Sequence, residues 1–104
     1  MKILIIDDCY TIARLLEYYL EGFEVDIALS GVDGLKKFDN HDLVFVDVNL
    51  GDMKGYDVAQ IISKFSEVKI IGMSASAPDS DEFNYFIRKP LKMKSIKEAI
   101  DSVL

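Results

Sequence analysis

The stretch KILIIDDCYT, residues 2–11, runs from four consecutive apolar residues, Ile3 to Ile6, directly into two adjacent acids, Asp7 and Asp8. A continuous apolar run of this length is typical of a strand in a parallel sheet, because such strands are covered on both faces. Two neighbouring carboxylates repel each other and are costly to bury. Their position directly after a buried strand therefore indicates a functional edge of a sheet.

Further apolar runs and helical patterns alternate along the rest of the chain. The apolar runs cover residues 24–29, 42–47, 68–74 and 84–89. Helical spacing of apolar residues predicts helices over 11–22, 30–38, 55–65 and 93–104, with Ser30 as an N-cap and Gly22 as a C-terminal cap. Alternating strands and helices predict an α/β fold with a parallel sheet and right-handed crossovers.

Composition limits the classes of protein that fit this chain. Its 104 residues, 50% hydrophobic and 29% charged, predict one domain over 1–104. A net charge of -6 disfavours a nucleic-acid partner, and the single cysteine excludes an internal disulfide. The N-terminus does not resemble a secretory signal, and no apolar run approaches the roughly 20 residues that cross a bilayer. The expectation is a soluble cytoplasmic protein without a membrane partner.

Polar residues follow four of the five predicted strands. Asp7 and Asp8 end the first strand, and the third, fourth and fifth strands end in Asp47, Ser74 and Lys89. In open parallel sheets the functional crevice lies beyond the carboxyl ends of the strands. These residues are therefore expected to meet at one edge of the sheet, although they are distant in sequence.

Three carboxylates that lie close together resist full ionisation unless a cation neutralises them. Oxygen ligands of this kind favour Mg²⁺, which proteins hold through carboxylates, waters and phosphate oxygens. A metal ion, a lysine and a hydroxyl beside an exposed carboxylate are the groups that phosphoryl transfer requires. We therefore predict that Asp47 is a nucleophile that forms an aspartyl phosphate, assisted by Lys89 and Ser74.

Four motifs, IIDDC, VFVDVNLGDMKGYDV, IIGMSA and FIRKPL, occur in this order between residues 5 and 91. Together they resemble the receiver domain of two-component response regulators, of the single-domain chemotaxis-regulator type, over Lys2 to Leu104. The resemblance implies a flavodoxin-like, doubly wound fold with five parallel strands in the order 2-1-3-4-5. It also implies that the chain is not an enzyme beyond self-catalysed phosphoryl acceptance and autodephosphorylation.

The resemblance also assigns roles to individual residues. It implies that Asp47 is the phosphoacceptor, that Asp8 binds Mg²⁺ directly, that Asp7 is an outer ligand, and that Asn49 contributes its backbone carbonyl. Lys89 and Ser74 keep the roles given above. Phe86, three residues before the lysine, matches the aromatic residue that turns inward when the hydroxyl residue moves toward the phosphoryl group.

Partners follow from the same resemblance. A sensor histidine kinase or phosphotransfer protein would donate the phosphoryl group, with a helix docked beside Tyr10, Ala13, Arg14 and Leu91. With no output module in the sequence, the signal would pass to a downstream protein target. An alternative is a pseudo-receiver that binds partners without being phosphorylated. A hydrolase of the haloacid-dehalogenase type fits poorly, because Asn49 stands where its general acid should be and no cap domain fits the length.

The sequence departs from the family pattern at two places, and each departure predicts a structural difference. Gly51 replaces the usual proline after the phosphoacceptor, which predicts a less rigid loop. The stretch between Ser74 and Lys89 is about two helical turns short, so the fourth helix is expected to be shortened or absent. That absence would uncover Ile71 or Ile87, and a homodimer through this face is one way to cover them.

For His41 and Cys9 we expect no catalytic or redox role. His41, the only histidine, lies in a polar stretch between two predicted elements and is expected to be solvent-exposed. Cys9 is expected to pack at the start of the first helix without a redox role.

Overall fold

The computed structural model describes residues 1–104 and contains five strands and four helices. The strands are β1 (Lys2–Ile6), β2 (Glu24–Ala28), β3 (Leu43–Asp47), β4 (Lys69–Ser74) and β5 (Tyr85–Arg88). The helices are α1 (Tyr10–Tyr19), α2 (Gly31–Lys37), α3 (Gly55–Ser63) and α4 (Met93–Val103). No helix combines the length and apolar character that a bilayer-spanning segment needs.

The strands form one parallel sheet in the order β2-β1-β3-β4-β5, which confirms the predicted topology. Residues of β1 alternate between two apolar clusters, one on each face of the sheet. Ile3 and Ile5 pack with residues of α1 and α4, whereas Leu4 and Ile6 pack with residues of α3. Both faces are therefore buried, which explains why the apolar run in β1 is continuous instead of alternating.

The predicted helix ends agree with the structure to within a few residues. The Ser30 hydroxyl accepts a hydrogen bond of 3.0 Å from the Asp33 N–H, as an N-cap of α2 should. Gly22 follows α1 with a φ of +98°, a conformation that glycine adopts without steric cost. All five strands run parallel, so their carboxyl ends lie at the same edge of the sheet.

The connection between β4 and β5 contains no helix, as expected, but the sheet beneath it is covered. The prediction that Ile71 or Ile87 would be uncovered is wrong, since their exposed fractions are 0% and 3%. Both residues belong to the cluster packed against α4, on the opposite face from the missing helix. On the face that the helix would have covered, Phe83 packs into the other cluster and is itself 8% exposed.

The prediction that His41 is solvent-exposed is also wrong. Its side chain is completely buried, and its ring stacks on Phe38 at a centroid distance of 5.8 Å. The Asp39 N–H donates to Nδ1 at 3.0 Å, so Nε2 carries the proton that is shared with Asp26 Oδ2 at 2.8 Å. His41 is thus a structural residue between β2 and β3, at the end of the sheet remote from the carboxylates.

Candidate functional site

Three carboxylates meet at the carboxyl edge of the sheet. Asp47 is the last residue of β3, and Asp7 and Asp8 directly follow β1, the strand paired with β3. One carboxylate oxygen from each residue lies within 4.8 Å of the others. Asp7 is completely buried, Asp47 is nearly so, and Asp8 is exposed. The predicted convergence of these residues is therefore present in the structure.

Lys89, which directly follows the edge strand β5, completes this cluster. Its Nζ atom donates to Asp7 Oδ2 at 3.0 Å and to Asp47 Oδ2 at 2.8 Å. The Lys89 backbone N–H donates to the carbonyl of Ser74 at 3.0 Å, which fixes the lysine beside the end of β4. The side chain is 16% exposed, so its amine is held within the site and does not extend into solvent.

The electrostatics of this group depend on burial. Burial raises the pKa of Asp7, and the charge of Asp47 adds to the rise, while the Cys9 N–H and Lys89 oppose it. Burial alone would lower the pKa of Lys89, but the hydrogen bonds from its amine to Asp47 and Asp7 and their charges raise it overall. Lys89 is therefore firmly protonated, whereas ionising Asp7 carries a cost.

The net charge of the three carboxylates and Lys89 suits a divalent cation. When ionised, the three carboxylates carry three negative charges and Lys89 compensates one, so two remain. All candidate ligand atoms are oxygens, which favour a hard ion such as Mg²⁺. The side chain of Asp8, exposed beside two buried carboxylates, leaves the cluster accessible from solvent. The residues present thus fit a magnesium site.

Ser74 is buried at the end of β4, and its hydroxyl oxygen already has partners. The N–H groups of Ser76 and Ala77 donate to it at 3.2 and 2.9 Å. The segment that replaces the fourth helix therefore begins with a turn held by this hydroxyl. Arg88 also reaches this turn, since its guanidinium donates to the Ala77 carbonyl.

Phe86 is half-buried on β5 and lies between aromatic and cationic neighbours. Its ring centroid is 5.9 Å from that of Phe83, and the Arg88 guanidinium lies 5.0 Å from the ring centre. Because Arg88 contacts both Phe86 and the turn after Ser74, the two residues of the predicted switch are physically connected.

The loop after Asp47 is closed by backbone contacts at its base. The Asn49 N–H donates to Asp47 Oδ1 at 3.1 Å, Asn49 and Lys54 form an isolated bridge, and the Gly55 N–H donates to the Val48 carbonyl at 2.6 Å. These bonds keep Asn49, whose carbonyl is a predicted metal ligand, next to the predicted phosphoacceptor.

Sequence reasoning did not single out Asp52, at the tip of the same loop. Its two carboxylate oxygens accept hydrogen bonds from the Gly31 and Val32 N–H groups at 2.9 and 3.0 Å. These bonds, the one from Gly31 foremost, lower the pKa of Asp52. No local pattern could have revealed this contact, because the partners lie 21 and 20 residues away in sequence.

The surface predicted for kinase docking is smaller than expected. Ala13 and Leu91 are buried in the core, with exposed fractions of 0% and 5%. Tyr10 and Arg14 do face solvent, and Arg14 donates a hydrogen bond of 2.7 Å to the Tyr10 hydroxyl. Cys9 is exposed at the N-cap of α1, where its backbone N–H donates to Asp7 Oδ1 at 2.9 Å.

Comparison with known proteins places this geometry in a family. Residues 3–101 match the model of the response regulator receiver domain. The chain is 35% identical, over 95% of its length, to part of hybrid signal transduction histidine kinase L of Dictyostelium discoideum. It is also 35% identical, over 99% of its length, to part of the probable transcriptional regulator ycf27 of Porphyridium aerugineum.

The chain matches only part of each of these relatives, since it spans 7% of the length of the first and 48% of the length of the second. A solved structure of similar size is response regulator protein TrrA of Thermotoga maritima, in complex with Mg²⁺-BeF. It superposes with a TM-score of 0.89 at 34% identity, and the match covers 99% of this chain and 98% of that one. The chain therefore belongs to the response regulator receiver domain family of two-component systems.

Proposed function

We propose that this chain is a phosphorylatable receiver in which Asp47 accepts a phosphoryl group from a sensor histidine kinase or a phosphotransfer protein. The observation that carries the proposal is the pair of hydrogen bonds from Lys89 Nζ to Asp47 and Asp7, at 2.8 and 3.0 Å. A protonated amine at the nucleophile can stabilise charge on an incoming phosphoryl oxygen. TrrA, which was solved with Mg²⁺-BeF, supports the same reading by similarity.

The residues that would hold Mg²⁺ are Asp8 and Asp47 through carboxylate oxygens, Asn49 through its carbonyl, and Asp7 as an outer ligand. The oxygen-only chemistry of these groups and the two uncompensated charges of the cluster support this assignment. When bound, the ion would neutralise charge on the phosphoryl oxygens during transfer.

In the chemical step, a carboxylate oxygen of Asp47 attacks the phosphorus of a phosphohistidine on the donor protein. An O–P bond to Asp47 forms while the P–N bond breaks, and its electron pair returns to the donor imidazole. Lys89 remains protonated and pairs with the phosphoryl oxygens, since its raised pKa keeps the charge in place. Hydrolysis of the acyl phosphate by water releases inorganic phosphate and restores the Asp47 carboxylate, so the chain would act as its own phosphatase.

Signalling in this proposal begins with Ser74. Its hydroxyl holds the turn at Ser76 and Ala77, so a move of Ser74 toward the phosphoryl group would release that turn. Arg88 would transmit the change to Phe86 because it contacts both the Ala77 carbonyl and the Phe86 ring. Phosphorylation thus biases a two-state equilibrium of this surface.

A downstream protein is the expected recipient of the signal, and a net charge of -6 does not favour nucleic acid binding by this domain. Because Ile71 and Ile87 are buried, they give no reason to expect self-association through the face of the missing helix. The absence of a membrane partner and the cytoplasmic location that the sequence indicates both stay predictions.

The test is intact-protein mass spectrometry after incubation with acetyl phosphate, with and without Mg²⁺. The proposal expects a Mg²⁺-dependent gain of one phosphoryl mass, lost on brief base treatment because acyl phosphates are base-labile. Asp47→Asn should lose this gain. Asp101→Asn makes the same chemical change at an exposed position on α4 and should keep it.

Each negative outcome has its own meaning. Phosphate incorporation by Asp47→Asn at the wild-type rate would show that another residue is the nucleophile. No incorporation by the wild-type chain, together with no binding of beryllofluoride, would favour the pseudo-receiver and overturn the proposal.

A further inference from the structure

The tip of the loop after Asp47 is fastened to a different part of the fold. Asp52 places one carboxylate oxygen on the Gly31 N–H and the other on the Val32 N–H, the first two residues of α2. The neighbouring side chain strengthens this contact, because Met53 packs so closely on Gly31 that a Cβ atom there would overlap its Cγ. Two consecutive loop residues thus attach to one end of α2.

The residue before this attachment lies against the metal site. Gly51 has a φ of +80°, and the Asp52 N–H donates to the Leu50 carbonyl at 2.9 Å, which forms a three-residue γ-turn. A Cβ atom on Gly51 would be 3.6 Å from Asp8 Oδ2, so the turn runs beside the exposed carboxylate of the cluster. Proline, the usual residue of the family here, cannot adopt this positive φ.

We infer that Asp52 is a positioning residue, which holds the loop of Asn49 and Gly51 against Asp8 and thereby sets the Mg²⁺ affinity of the site. The inference rests on the function proposed above. The loop has lost the stiffness that proline gives, and the paired hydrogen bonds of Asp52 supply a replacement from outside the loop. Asp52 touches neither the ion nor the phosphoryl group in this scheme, because its carboxylate oxygens are engaged by α2.

The consequence is specific to metal binding. Without the Asp52 carboxylate, the tip of the loop loses two hydrogen bonds to α2, while the base keeps the Asn49–Lys54 bridge and the bond from Gly55 to Val48. The loop remains in place but samples more positions, so the Asn49 carbonyl and the surroundings of Asp8 are less well ordered for an ion. Residues that orient metal ligands typically change affinity by about 10- to 100-fold when they are replaced.

The first measurement is the dissociation constant for Mg²⁺ by isothermal titration calorimetry on the purified chain. We expect Asp52→Ala to raise it by about 10-fold, and Asp52→Asn, which keeps one acceptor oxygen, to raise it by less than Asp52→Ala does. The second measurement is the rate of phosphorylation by acetyl phosphate as a function of Mg²⁺. At saturating Mg²⁺ the rate should return to near the wild-type value, since the nucleophile and Lys89 are untouched.

Ser30→Ala is the matched control. It removes the other side-chain cap of α2, the bond from the Asp33 N–H to the Ser30 hydroxyl, without touching the loop. Its stability should fall as that of Asp52→Ala does, but its Mg²⁺ dissociation constant should stay near that of the wild type. An equal rise in Ser30→Ala would mean that α2 stability, and not the position of the loop, sets the affinity, and would overturn the inference.

The outcomes separate this inference from the function on which it rests. If the wild-type chain binds no Mg²⁺, the proposed function itself fails. If the wild type binds Mg²⁺ and both Asp52 variants bind it equally well, only the positioning role is overturned.

Discussion

The Phe83 ring lies so close to Gly72 that a Cβ atom added to Gly72 would come within 2.5 Å of ring carbon Cδ2. The ring also contacts Tyr56 and Phe86, with centroid distances of 5.4 and 5.9 Å. The Tyr56 hydroxyl donates to the Pro78 carbonyl at 2.7 Å, which ties the connecting segment to α3. One aromatic ring above a glycine thus covers the part of β4 that a helix would otherwise cover.

This arrangement predicts a large stability cost for Phe83→Ala. Truncating a buried phenylalanine removes apolar contacts and leaves a cavity, so the free energy of unfolding should fall by about 3 kcal/mol. Urea denaturation followed by circular dichroism measures it. Phe65→Ala is the control, because Phe65 is 82% exposed and the expected change is within about 0.5 kcal/mol. Equal losses in the two variants would contradict the covering role of Phe83.

Gly72→Ala should destabilise the protein by about 1–3 kcal/mol, since the new methyl group overlaps the Phe83 ring. The cost should depend on that ring. In the double variant with Phe83→Ala the methyl group has space, so the combined loss should be smaller than the sum of the single losses by about 1 kcal/mol. A double-mutant cycle of urea denaturation measures the difference, and strict additivity would show that Gly72 is required for another reason.

Asp7→Asn should stabilise the metal-free protein at neutral pH. Burial raises the pKa of Asp7 above its ordinary value of 3.8. At pH values between 3.8 and the raised pKa, the folded state therefore binds more protons than the unfolded state. The wild-type free energy of unfolding therefore contains a contribution that falls as pH rises from 3.8 through the raised pKa of Asp7. Asparagine removes the ionisation and this slope.

The measurement is urea denaturation in EDTA at several pH values between the acid range and neutrality. Asp101→Asn, on the exposed surface of α4, should follow the wild-type profile. A lower stability of Asp7→Asn at neutral pH would indicate that the bond from Lys89 to Asp7 outweighs the cost of burying the carboxylate.

Magnesium should stabilise the fold through the same carboxylates. At an ion concentration about 100 times the dissociation constant, binding to the folded state alone adds about 2.7 kcal/mol to the free energy of unfolding. Thermal denaturation with and without EDTA detects this as a rise in Tm. Asp8→Ala should lose most of the rise and Asp101→Asn should keep it. A rise that persists in Asp8→Ala would place the ion elsewhere.

The sequence was sufficient to predict the sheet and the position of the site. Continuous apolar runs identify strands buried on both faces, and parallel strands bring Asp7, Asp47, Ser74 and Lys89 to one edge whatever their distance in sequence. Family membership and strand order are confirmed. The roles of these residues in phosphoryl transfer stay predictions that the experiments above address.

The misses at His41, Phe83 and Asp52 share a physical cause, which is contact between residues far apart in sequence. His41 looks like a solvent-exposed polar residue until Asp26, 15 positions earlier, supplies a partner for its ring. Phe83 sits in a short polar segment that gives no sign of the glycine it covers. Asp52 resembles any loop acid, because the two N–H groups that it binds belong to α2, in an earlier part of the chain. Local patterns contain no information about such partners.

The bond between Lys89 and Asp7 spans 82 residues, almost the whole chain. The carboxylates lie at the ends of β1 and β3, whereas the lysine follows β5, the strand at the edge of the sheet. The amine therefore reaches the predicted nucleophile only when β5 lies paired with β4. Under the proposed function, a chain whose edge strand has locally unfolded should retain the carboxylates but lose the charge that assists phosphoryl acceptance.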